Sequence, residues 1–314
     1  MTRVLLSGAS GFVGGPALRA LLEAGYEVHA ISSRPRPVDG RDTVGRPEDD
    51  VRWHSADLLA GEGDEALLAA VRPELLLHLA WYAEHGRFWS STENVRWVEA
   101  TLRLLRAFVA HGGRRAVLAG TCAEYEWSEA GGRLSERDTP LRPATLYGAS
   151  KDATREVAEA FAREAGIELC WGRVFFPYGP GEPAGRLVPS IARSLLAGQP
   201  AELTEGSQIR DFIHVEDVAG AFAALLASAA QGAVNVGTGE GISVREVAEL
   251  LGETTGRGEL LRIGALERRP GEPRELVADA GRLRGEVGFQ PRVSIGRGLE
   301  ATVAWWRERV PGGR

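Results

Sequence analysis

The sequence predicts an α/β fold in which a doubly wound parallel sheet is followed by a smaller C-terminal α/β lobe. Three observations support this prediction. Through the first half of the chain, short apolar runs alternate with amphipathic segments of helical period, which is typical of successive βαβ units. A glycine-rich loop directly follows the first apolar run. After residue 180 the alternation loosens, and helix-like segments follow.

The elements of the first half can be assigned in chain order. Helices are predicted at GPALRALLEAGY and NVRWVEATLRLLRAFVAHGG, and right-handed crossovers would place such helices on both faces of the sheet. The segment Ser33–Asp50 is rich in proline, glycine and charge and is predicted to be an exposed loop. The predicted strands are RVLLSG, EVHAIS, VRWH, ELLLHLA and RAVLAGT.

The second half is predicted to add four helices. One of them, SVREVAELLGETTG, begins with Ser243 as an N-cap and has Glu246 three residues later, which is the spacing of a capping box. The other three are LVPSIARSLLAG, DVAGAFAALLASAA and IGRGLEATVAWWRER.

Composition and charge exclude several classes of protein. The 314 residues are 44% apolar and 25% charged, with a net charge of −6, as in ordinary globular proteins. This balance argues against nucleic acid or an acidic membrane surface as a partner. No apolar run reaches the ~18 residues that a membrane span needs. The N-terminus also lacks the apolar core of a signal peptide.

Cysteine and histidine usage indicates the compartment and the metal content. The two cysteines, Cys122 and Cys170, are too few for a disulfide framework, and they predict a reducing, cytoplasmic location. The six histidines show no metal-ligand spacing, so we predict no metal site.

The loop SGASGFVGG predicts a dinucleotide-binding turn. Its glycines follow the first strand and open the first helix. A pyrophosphate needs a turn without Cβ atoms and free N–H groups at a helix N-terminus. We expect Gly8 to make the turn, Gly11 to let the pyrophosphate approach and Gly14 to let helix and strand pack. The intervening residues expected to contact the cofactor are Ser10, Phe12 and Val13.

The end of the second strand favours NADP over NAD. No acidic residue stands where a carboxylate would bind the adenosine ribose 2′-hydroxyl. This place holds Ser32, Ser33 and Arg34, with Arg36 nearby. Hydroxyls and a guanidinium suit a 2′-phosphate, so NADP(H) is the predicted cofactor.

Seven motifs occur in order along nearly the whole chain: GASGFVG, ADLL, LLLHLAW, AGTCAEY, YGASK, GRVFFPYGPGE and SQIRDFIHVEDVA. Together with the C-terminal segments NVGTGEGISVREVAELL and GFQPRVSIGRGLEATVAWW, they resemble the extended short-chain dehydrogenase/reductase family, in its branch that acts on nucleotide sugars. The resemblance implies a Rossmann fold. Residues 1–172 would mainly form the NAD(P)-binding domain and residues 173–314 the nucleotide-sugar lobe, with the chain crossing back to the sheet near 205–240.

The resemblance also implies further cofactor contacts. An Asp-Leu pair would border the adenine, and the HLA segment with the tryptophan after it would line the nicotinamide ribose. The family usually has a small residue where this chain has that tryptophan. The residues concerned are Asp57, Leu58, His78, Leu79, Ala80 and Trp81. The aromatic-rich loop of residues 81–89 would be either a sugar-stacking wall, with Trp81 touching substrate, or only a packed loop.

The motifs place a proton-transfer site at Tyr147 and Lys151. The two residues are four positions apart, so they share a helical face. A nearby ammonium favours phenolate and lowers the pKa of a phenol from its ordinary value of ~10. By resemblance, Lys151 would also hydrogen-bond the nicotinamide ribose. Thr121, at the end of a predicted strand, would hydrogen-bond the substrate oxygen.

The residues after Thr121 favour reduction over dehydration. Family dehydratases carry two carboxylates there, and decarboxylating xylose synthases carry a glutamate two positions after the threonine, whereas this chain has Cys122 and Ala123. Glu124 would point away from that place or touch substrate. We therefore expect an NADPH-dependent 4-ketoreductase of NDP-4-keto-6-deoxyhexoses. The alternatives are an NAD-dependent NDP-sugar 4-epimerase and a non-catalytic NADP-binding sensor or scaffold.

The resemblance implies several substrate contacts beyond Thr121 and Trp81. Phenylalanines stand at 175 and 176 where the family commonly has an asparagine, and Arg173 before them is expected to be structural. Arginines suit a diphosphate, and the helix at residue 188 would cover the base. The expected substrate residues are Phe176, Val188, Arg210 and Arg269. Helices near 94–111 and 146–165 would pair with a second subunit in a four-helix bundle.

Overall fold

The computed structural model describes residues 1–33, 51–61, 64–127, 132–268 and 270–310. Its main feature is a seven-stranded sheet in the order β12-β7-β5-β4-β1-β2-β3, with every neighbouring pair parallel. The predicted doubly wound α/β sheet is therefore confirmed. Six of its strands are β1 (Arg3–Ser7), β2 (Glu27–Ser32), β3 (Val51–Ser55), β4 (Leu75–His78), β5 (Arg115–Thr121) and β7 (Glu168–Val174), and the seventh is β12 (Gly232–Val236).

Helices cover both faces of this sheet, because each strand carries apolar side chains on two sides. On one face, Leu21 of α1 and Phe222 of α6 are completely buried against the strands. On the other face, Phe108 of α3 and Ala158 of α4 are completely buried in a second apolar cluster. The helices concerned are α1 (Gly14–Glu23), α2 (Asp64–Val71), α3 (Glu93–Ala110), α4 (Leu146–Ala165) and α6 (Val215–Ala227).

Local chemistry fixes the ends of several helices. The capping box predicted at Ser243 is present at the start of α7 (Val244–Thr255). Glu246 N–H donates to Ser243 Oγ at 3.1 Å, and Ser243 N–H donates to the Glu246 carboxylate at 3.0 Å. Thr145 Oγ1 accepts from Gly148 N–H at 3.1 Å and caps α4, whose last turn ends at Gly166 in the left-handed region.

The C-terminal part of the chain forms a smaller lobe. Three of its helices, α5, α7 and α9, pack around a separate apolar cluster that includes Leu195, Leu251 and Leu299. Its helices are α5 (Leu187–Leu196), α7 (Val244–Thr255), α8 (Gly281–Gly285) and α9 (Ile295–Arg307). The short strands outside the main sheet are β6 (Gly132–Leu134), β8 (Phe176–Tyr178), β9 (Ala201–Leu203), β10 (Ile209–Arg210), β11 (Phe212–His214), β13 (Ile242–Ser243), β14 (Leu261–Ile263) and β15 (Glu275–Ala278).

The chain returns from this lobe to the main sheet. α6 packs beside α1, and β12 pairs with β7 at the sheet edge. The domain boundary predicted after residue 172 falls inside β7, so it would cut this strand in two. The exact domain limits stay a prediction.

No helix in the described ranges is long and apolar enough to cross a lipid bilayer.

Candidate active site

Thr121, Tyr147 and Lys151 meet at the carboxyl end of β5. Thr121 is the last residue of that strand, and a short 3-10 turn, Cys122–Glu124, follows it. Tyr147 and Lys151 lie on the first two turns of α4. Gly148 allows this helix to approach, because a Cβ there would overlap the carbonyl oxygen of Ala123. The sequence YGASK thus seats the tyrosine beside the strand end.

The pKa of the Tyr147 phenol is raised, whereas the sequence predicted that Lys151 would lower it. Burial raises the pKa of its hydroxyl, and a hydrogen bond with Thr121 acts in the opposite direction. The charge on Glu124 raises the pKa of Tyr147 further, and Arg186 lowers it. A protonated phenol next to a threonine hydroxyl can donate a proton to a substrate oxygen.

Lys151 is buried, with 4% of its surface exposed. Its ammonium donates to the carbonyl oxygen of Ala119 at 2.7 Å and lies 3.8 Å from the centroid of the Trp81 ring. Burial lowers the pKa of Lys151 to about 7, whereas the negative charge on Glu124 raises it. The side chain therefore titrates near neutrality.

Glu124 is completely buried beneath the site and points away from it. Its Oε1 accepts from Thr121 N–H at 2.8 Å and from Trp171 Nε1 at 2.9 Å, while Oε2 accepts from Arg173 Nε at 2.6 Å. Arg173 in turn donates to Tyr125 Oη at 3.1 Å. Both carboxylate oxygens accept hydrogen bonds from the protein, so Glu124 and Arg173 support the end of the strand from inside the protein.

The glycine loop has the shape that a pyrophosphate requires. Gly8 has φ +75°, and a Cβ there would lie 2.8 Å from Ala80 N. A Cβ on Gly14 would overlap the carbonyl oxygen of Gly8, whereas Gly11 faces solvent and meets only that oxygen at 3.2 Å. The loop therefore lies flat against the β4 end and leaves the N-terminus of α1 open to an anion. Ser10, Phe12 and Val13 are all at least partly exposed around it.

The adenosine end of this site is partly described. Ser10 Oγ lies 3.4 Å from Ser32 Oγ, which is buried, and Ser33 is exposed. Arg34 and Arg36, which carried the NADP prediction, lie outside the described residues. The exposed Asp57 accepts from Leu59 N–H at 2.9 Å, and the residue after it, Leu58, is packed in the core.

His78 is buried with its imidazole turned into the protein, and its predicted contact with the nicotinamide ribose stays a prediction. Its Nδ1 is 2.6 Å from Ser7 Oγ, and its Nε2 is 2.9 Å from Thr101 Oγ1, so both ring nitrogens are engaged inside the protein. Burial and the charge on Lys151 lower the pKa of His78 to about 3. Leu79 and Ala80, by contrast, are partly exposed beside Gly8.

Two aromatic residues of loop 81–89 contact Tyr147. The rings of Phe88 and Trp89 meet the Tyr147 ring edge to face, with centroids 4.9 and 5.8 Å away. Trp89 also contacts Trp127, with a centroid distance of 6.1 Å. Because Phe88, Trp89 and Trp127 are partly exposed, this loop presents apolar ring surface next to the proton-transfer site.

The predicted substrate residues separate into different environments. Phe176 is partly exposed, and the Arg210 guanidinium lies 5.6 Å from its ring. Arg210 is buried and paired with Glu272 at 2.9 Å. Val188 is only 1% exposed and packs in the core of the C-terminal lobe, and its contact with a nucleotide base stays a prediction. Arg269 lies outside the described residues.

Two features near the site were missed by sequence reasoning. Asn94 is completely buried and accepts from Trp81 Nε1 at 2.8 Å. Glu182 follows the YGPG turn and is 4% exposed, and burial raises the pKa of its carboxyl to about 8. Arg186 lies 3.4 Å from it. Neither residue belongs to a pattern that predicts burial beside a site.

No group of three or more His, Cys, Asp or Glu side chains within the ranges that the structure covers is arranged to hold a metal ion.

Comparison with known proteins agrees with this geometry. Residues 4–237 match the model of a family described as the NAD dependent epimerase/dehydratase family. A dTDP-glucose 4,6-dehydratase of Streptomyces griseus is 29% identical, over 99% of this chain and 98% of that protein.

Two solved structures match 98% of this chain. The structure of MoeE5 in complex with UDP-glucuronic acid and NAD is 31% identical, with a TM-score of 0.82, and the match covers 98% of this chain and 100% of that one. The UDP-glucose 4-epimerase of Thermotoga maritima with UDP-glucose is 25% identical, with a TM-score of 0.85 and coverage of 98% and 99%.

Proposed function

The chain belongs to the NAD dependent epimerase/dehydratase family, and from that premise we propose that it reduces the 4-keto group of an NDP-4-keto-6-deoxyhexose. The observation that carries this proposal is the set of groups in the site that can donate or accept a proton. A single protonated phenol, Tyr147, adjoins Thr121, and the turn after Thr121 offers no free carboxylate.

The residues of the turn argue against elimination of water, which needs its own acid and base. Burial raises the pKa of the Cys122 thiol to about 12, so this thiol stays neutral and cannot act as a base. Ala123 has no ionisable group. Glu124 has both oxygens bound to protein donors. This turn therefore offers neither the acid nor the base that a dehydratase needs, although one relative bears the name of a 4,6-dehydratase.

Reduction needs one proton at the carbonyl oxygen, and the chain supplies it from Tyr147. When bound, the nicotinamide supplies the hydride that adds to carbon 4. The phenol oxygen of Tyr147 donates its proton to the former carbonyl oxygen, so that C=O becomes CH–OH. Thr121 holds that oxygen by a hydrogen bond. The ammonium of Lys151 stabilises the phenolate that remains.

The glycine loop fits a nicotinamide dinucleotide. Gly8 and Gly14 occupy places where a Cβ would collide with backbone, and the N-terminus of α1 opens beside Gly11. Gly8, Gly11 and the N–H groups of Phe12 and Val13 would hold the pyrophosphate, and Lys151 with Ala80 would meet the nicotinamide end.

We take NADP(H) as the preferred form of the cofactor. Its support is the pair Ser32 and Ser33, together with the lack of an acidic residue among the described residues at the end of β2. The solved relative MoeE5 holds NAD instead. Titration of the purified protein with both oxidised cofactors tests this. We expect NADP⁺ to bind at least about tenfold more tightly, and equal or tighter binding of NAD⁺ would overturn the preference.

The substrate is proposed to lie between the loop 81–89 and Arg210. Apolar ring surface from Trp89 and Phe176 suits the C–H face and C6 methyl group of a deoxysugar, because a hydroxyl placed there would lose its hydrogen bonds. Arg210 suits the diphosphate, since a guanidinium can bind it bidentately. Binding at Arg210 would require Glu272 to give up its contact with that arginine.

The decisive experiment mixes the purified protein with reduced cofactor and a panel of NDP-4-keto-6-deoxyhexoses. We expect stoichiometric oxidation of the cofactor and formation of a 6-deoxyhexose. The second candidate is a 4-epimerase, favoured by the relatives that are UDP-glucose 4-epimerases. It predicts instead that UDP-glucose is converted to its C4 epimer without net cofactor consumption. Binding of cofactor with neither activity would favour the non-catalytic sensor or scaffold.

We further propose that the protein is a cytoplasmic homodimer formed through α3 and α4. These helices pack against each other and expose apolar side chains, with Val95 48% and Val157 51% exposed. Cys122 and Cys170 are free thiols, as a reducing compartment requires. Light scattering tests the dimer, because Val157→Glu should give a monomer and Leu266→Glu, at another exposed apolar site, should not.

A further inference from the structure

Trp81 covers the ammonium group of Lys151 with the face of its indole ring. Lys151 Nζ lies 3.8 Å from the ring centroid, within the distance at which a cation is attracted by an aromatic face. The second aromatic ring near this ammonium, Trp171, is farther away, at 5.9 Å. Trp81 is therefore the main aromatic partner of the lysine.

The indole is held in this orientation by a hydrogen bond and by a stacked ring. Its Nε1 donates to Asn94 Oδ1 at 2.8 Å, and Trp97 stacks against it with centroids 6.2 Å apart. Asn94 is completely buried, and its Nδ2 donates to the carbonyl oxygens of Phe88 and Ser91 at 2.7 and 2.8 Å. The ring cannot turn away from Lys151 without breaking this partly buried hydrogen bond and leaving the buried Asn94 Oδ1 without its donor.

Lys151 has little other compensation for its buried charge. It forms no ion pair with a described carboxylate, and its one hydrogen bond is to Ala119 O. Glu124, the acid whose charge raises the pKa of Lys151, is already paired with Arg173. The other titratable groups around it are neutral, since the pKa of His78 is lowered to about 3 and the pKa of the Tyr147 phenol is raised by burial.

We propose that Trp81 is a positioning residue that keeps Lys151 charged and in place, and so sets the pH range over which the protein binds its nicotinamide cofactor. This inference needs only the family's cofactor site and is independent of which sugar or reaction the protein uses.

The direction of the effect follows from the physics of burial. Desolvation disfavours the ammonium and lowers the pKa of Lys151 to about 7. The electron-rich ring face favours the ammonium and opposes that shift. Trp81→Leu removes the attraction of the ring face, while an apolar side chain still covers the ammonium. We therefore expect the pKa of Lys151 to fall further in this variant, so that the charged form is lost at a lower pH. If cofactor binding depends on the ammonium, the affinity will begin to fall at a lower pH.

The test compares Trp81→Leu, which removes the ring, with Trp81→Phe, which keeps a ring face. Affinity for NADH and for NADPH is measured by cofactor fluorescence between about pH 6 and about pH 9. For Trp81→Leu we expect the alkaline fall in affinity to move about half to one pH unit lower. For Trp81→Phe we expect less than about half of that shift, because the face of a phenyl ring remains.

Trp305→Leu is the matched control. Trp305 is also partly exposed and lies 3.9 Å from the guanidinium of Arg309, but it belongs to α9 in the C-terminal lobe. Its variant should keep the wild-type pH profile. The proposal is overturned by a Trp81→Leu profile identical to wild type, or by equal shifts in the Leu and Phe variants. An equal shift in Trp305→Leu would also overturn it.

A second route keeps the test decisive if Trp81→Leu does not fold. The wild-type protein can be produced with difluorotryptophan, which withdraws electron density from the ring face while keeping its shape. The same substitution in the Trp81→Phe protein leaves position 81 unaffected. We expect the analogue to shift the profile of the first protein only, and equal shifts in both would refute the role of Trp81.

Discussion

The carboxylate of Glu124 and the guanidinium of Arg173 form a buried ion pair, with Oε2 and Nε 2.6 Å apart and neither side chain more than 1% exposed. This pair lies directly behind the proton-transfer site, since the same carboxylate accepts from the backbone N–H of Thr121. Charges in such a position are tolerated only when both partners are present.

Glu124→Gln is expected to destabilise the protein by about 3–5 kcal/mol, because Arg173 would remain buried without its counter-ion. Urea unfolding measures the change. The control is Glu93→Gln, which removes a surface pair with Arg96 and should change the free energy of unfolding by less than about 1 kcal/mol. Similar values for the two variants would contradict the structural role given to Glu124.

Tyr147→Phe should lower kcat by about 10²–10⁴-fold, because the proton donor is lost while the ring remains packed by Phe88 and Trp89. Tyr82→Phe is the matched control. It removes a tyrosine hydroxyl that donates to Glu84 in the same loop region and should leave kcat nearly unchanged. Full activity in Tyr147→Phe would sink the assigned role.

His78 should make the protein sensitive to acid. Its pKa is about 3 in the folded protein, against an ordinary value of 6.5. Between these values the unfolded chain binds a proton that the folded protein excludes, so stability falls as the pH drops from about 6.5 towards 3. His78→Gln should flatten the fall in melting temperature over this range, while His111→Gln, on the surface, should keep it. A slope unaffected by His78→Gln would rule this source out.

Trp89→Leu should reduce selectivity for the deoxysugar. If the ring faces the C6 methyl group, its removal should lower kcat/KM for the 6-deoxy substrate by about 10–100-fold. The corresponding 6-hydroxy sugar should lose less, because it gains little from an apolar surface. The ratio of kcat/KM values is the measurement, with Trp305→Leu as the control variant. An unchanged ratio would show that the loop is only packed against Tyr147.

Gly148→Ala should damage both stability and activity. A Cβ at this position would overlap the Ala123 carbonyl oxygen, so α4 must move away and carry Tyr147 with it. Gly296→Ala is the control, since Gly296 lies in α9 with no atom near its Cβ position. That change should stabilise the protein by about 0.4–1 kcal/mol. Wild-type kinetics in Gly148→Ala would show that this close approach is not required.

Much of the fold could be predicted from the sequence because its signals are local. Strands β1 and β5 are short apolar runs, and the capping box at Ser243 depends on neighbours three residues apart. The helix at residues 146–165, by contrast, was expected from the family resemblance. The meeting of Thr121 with Tyr147 was also predictable, since strand ends and the first turn of the following helix lie at one edge of a parallel sheet.

The interior around the site could not be predicted, because it depends on contacts between distant segments. Nothing local indicates that Glu124 pairs with Arg173, that Thr101 occupies the second nitrogen of His78, or that Val188 packs inward. The pairing of Trp81 with Lys151 joins residues 70 positions apart and is fixed by the fold alone.

The sheet edge at β12 has a consequence for biosynthesis. Because β12 pairs with β7, the sheet can gain its last strand only after residue 236 has left the ribosome. Until then β7 presents an unpaired edge, which is a site for misassociation of nascent chains. Asn235 of β12 also accepts from Tyr125, which links to Arg173 and Glu124 behind Thr121. A nascent chain that ends before β12 would therefore contain Thr121, Tyr147 and Lys151 but would lack the strand that supports them.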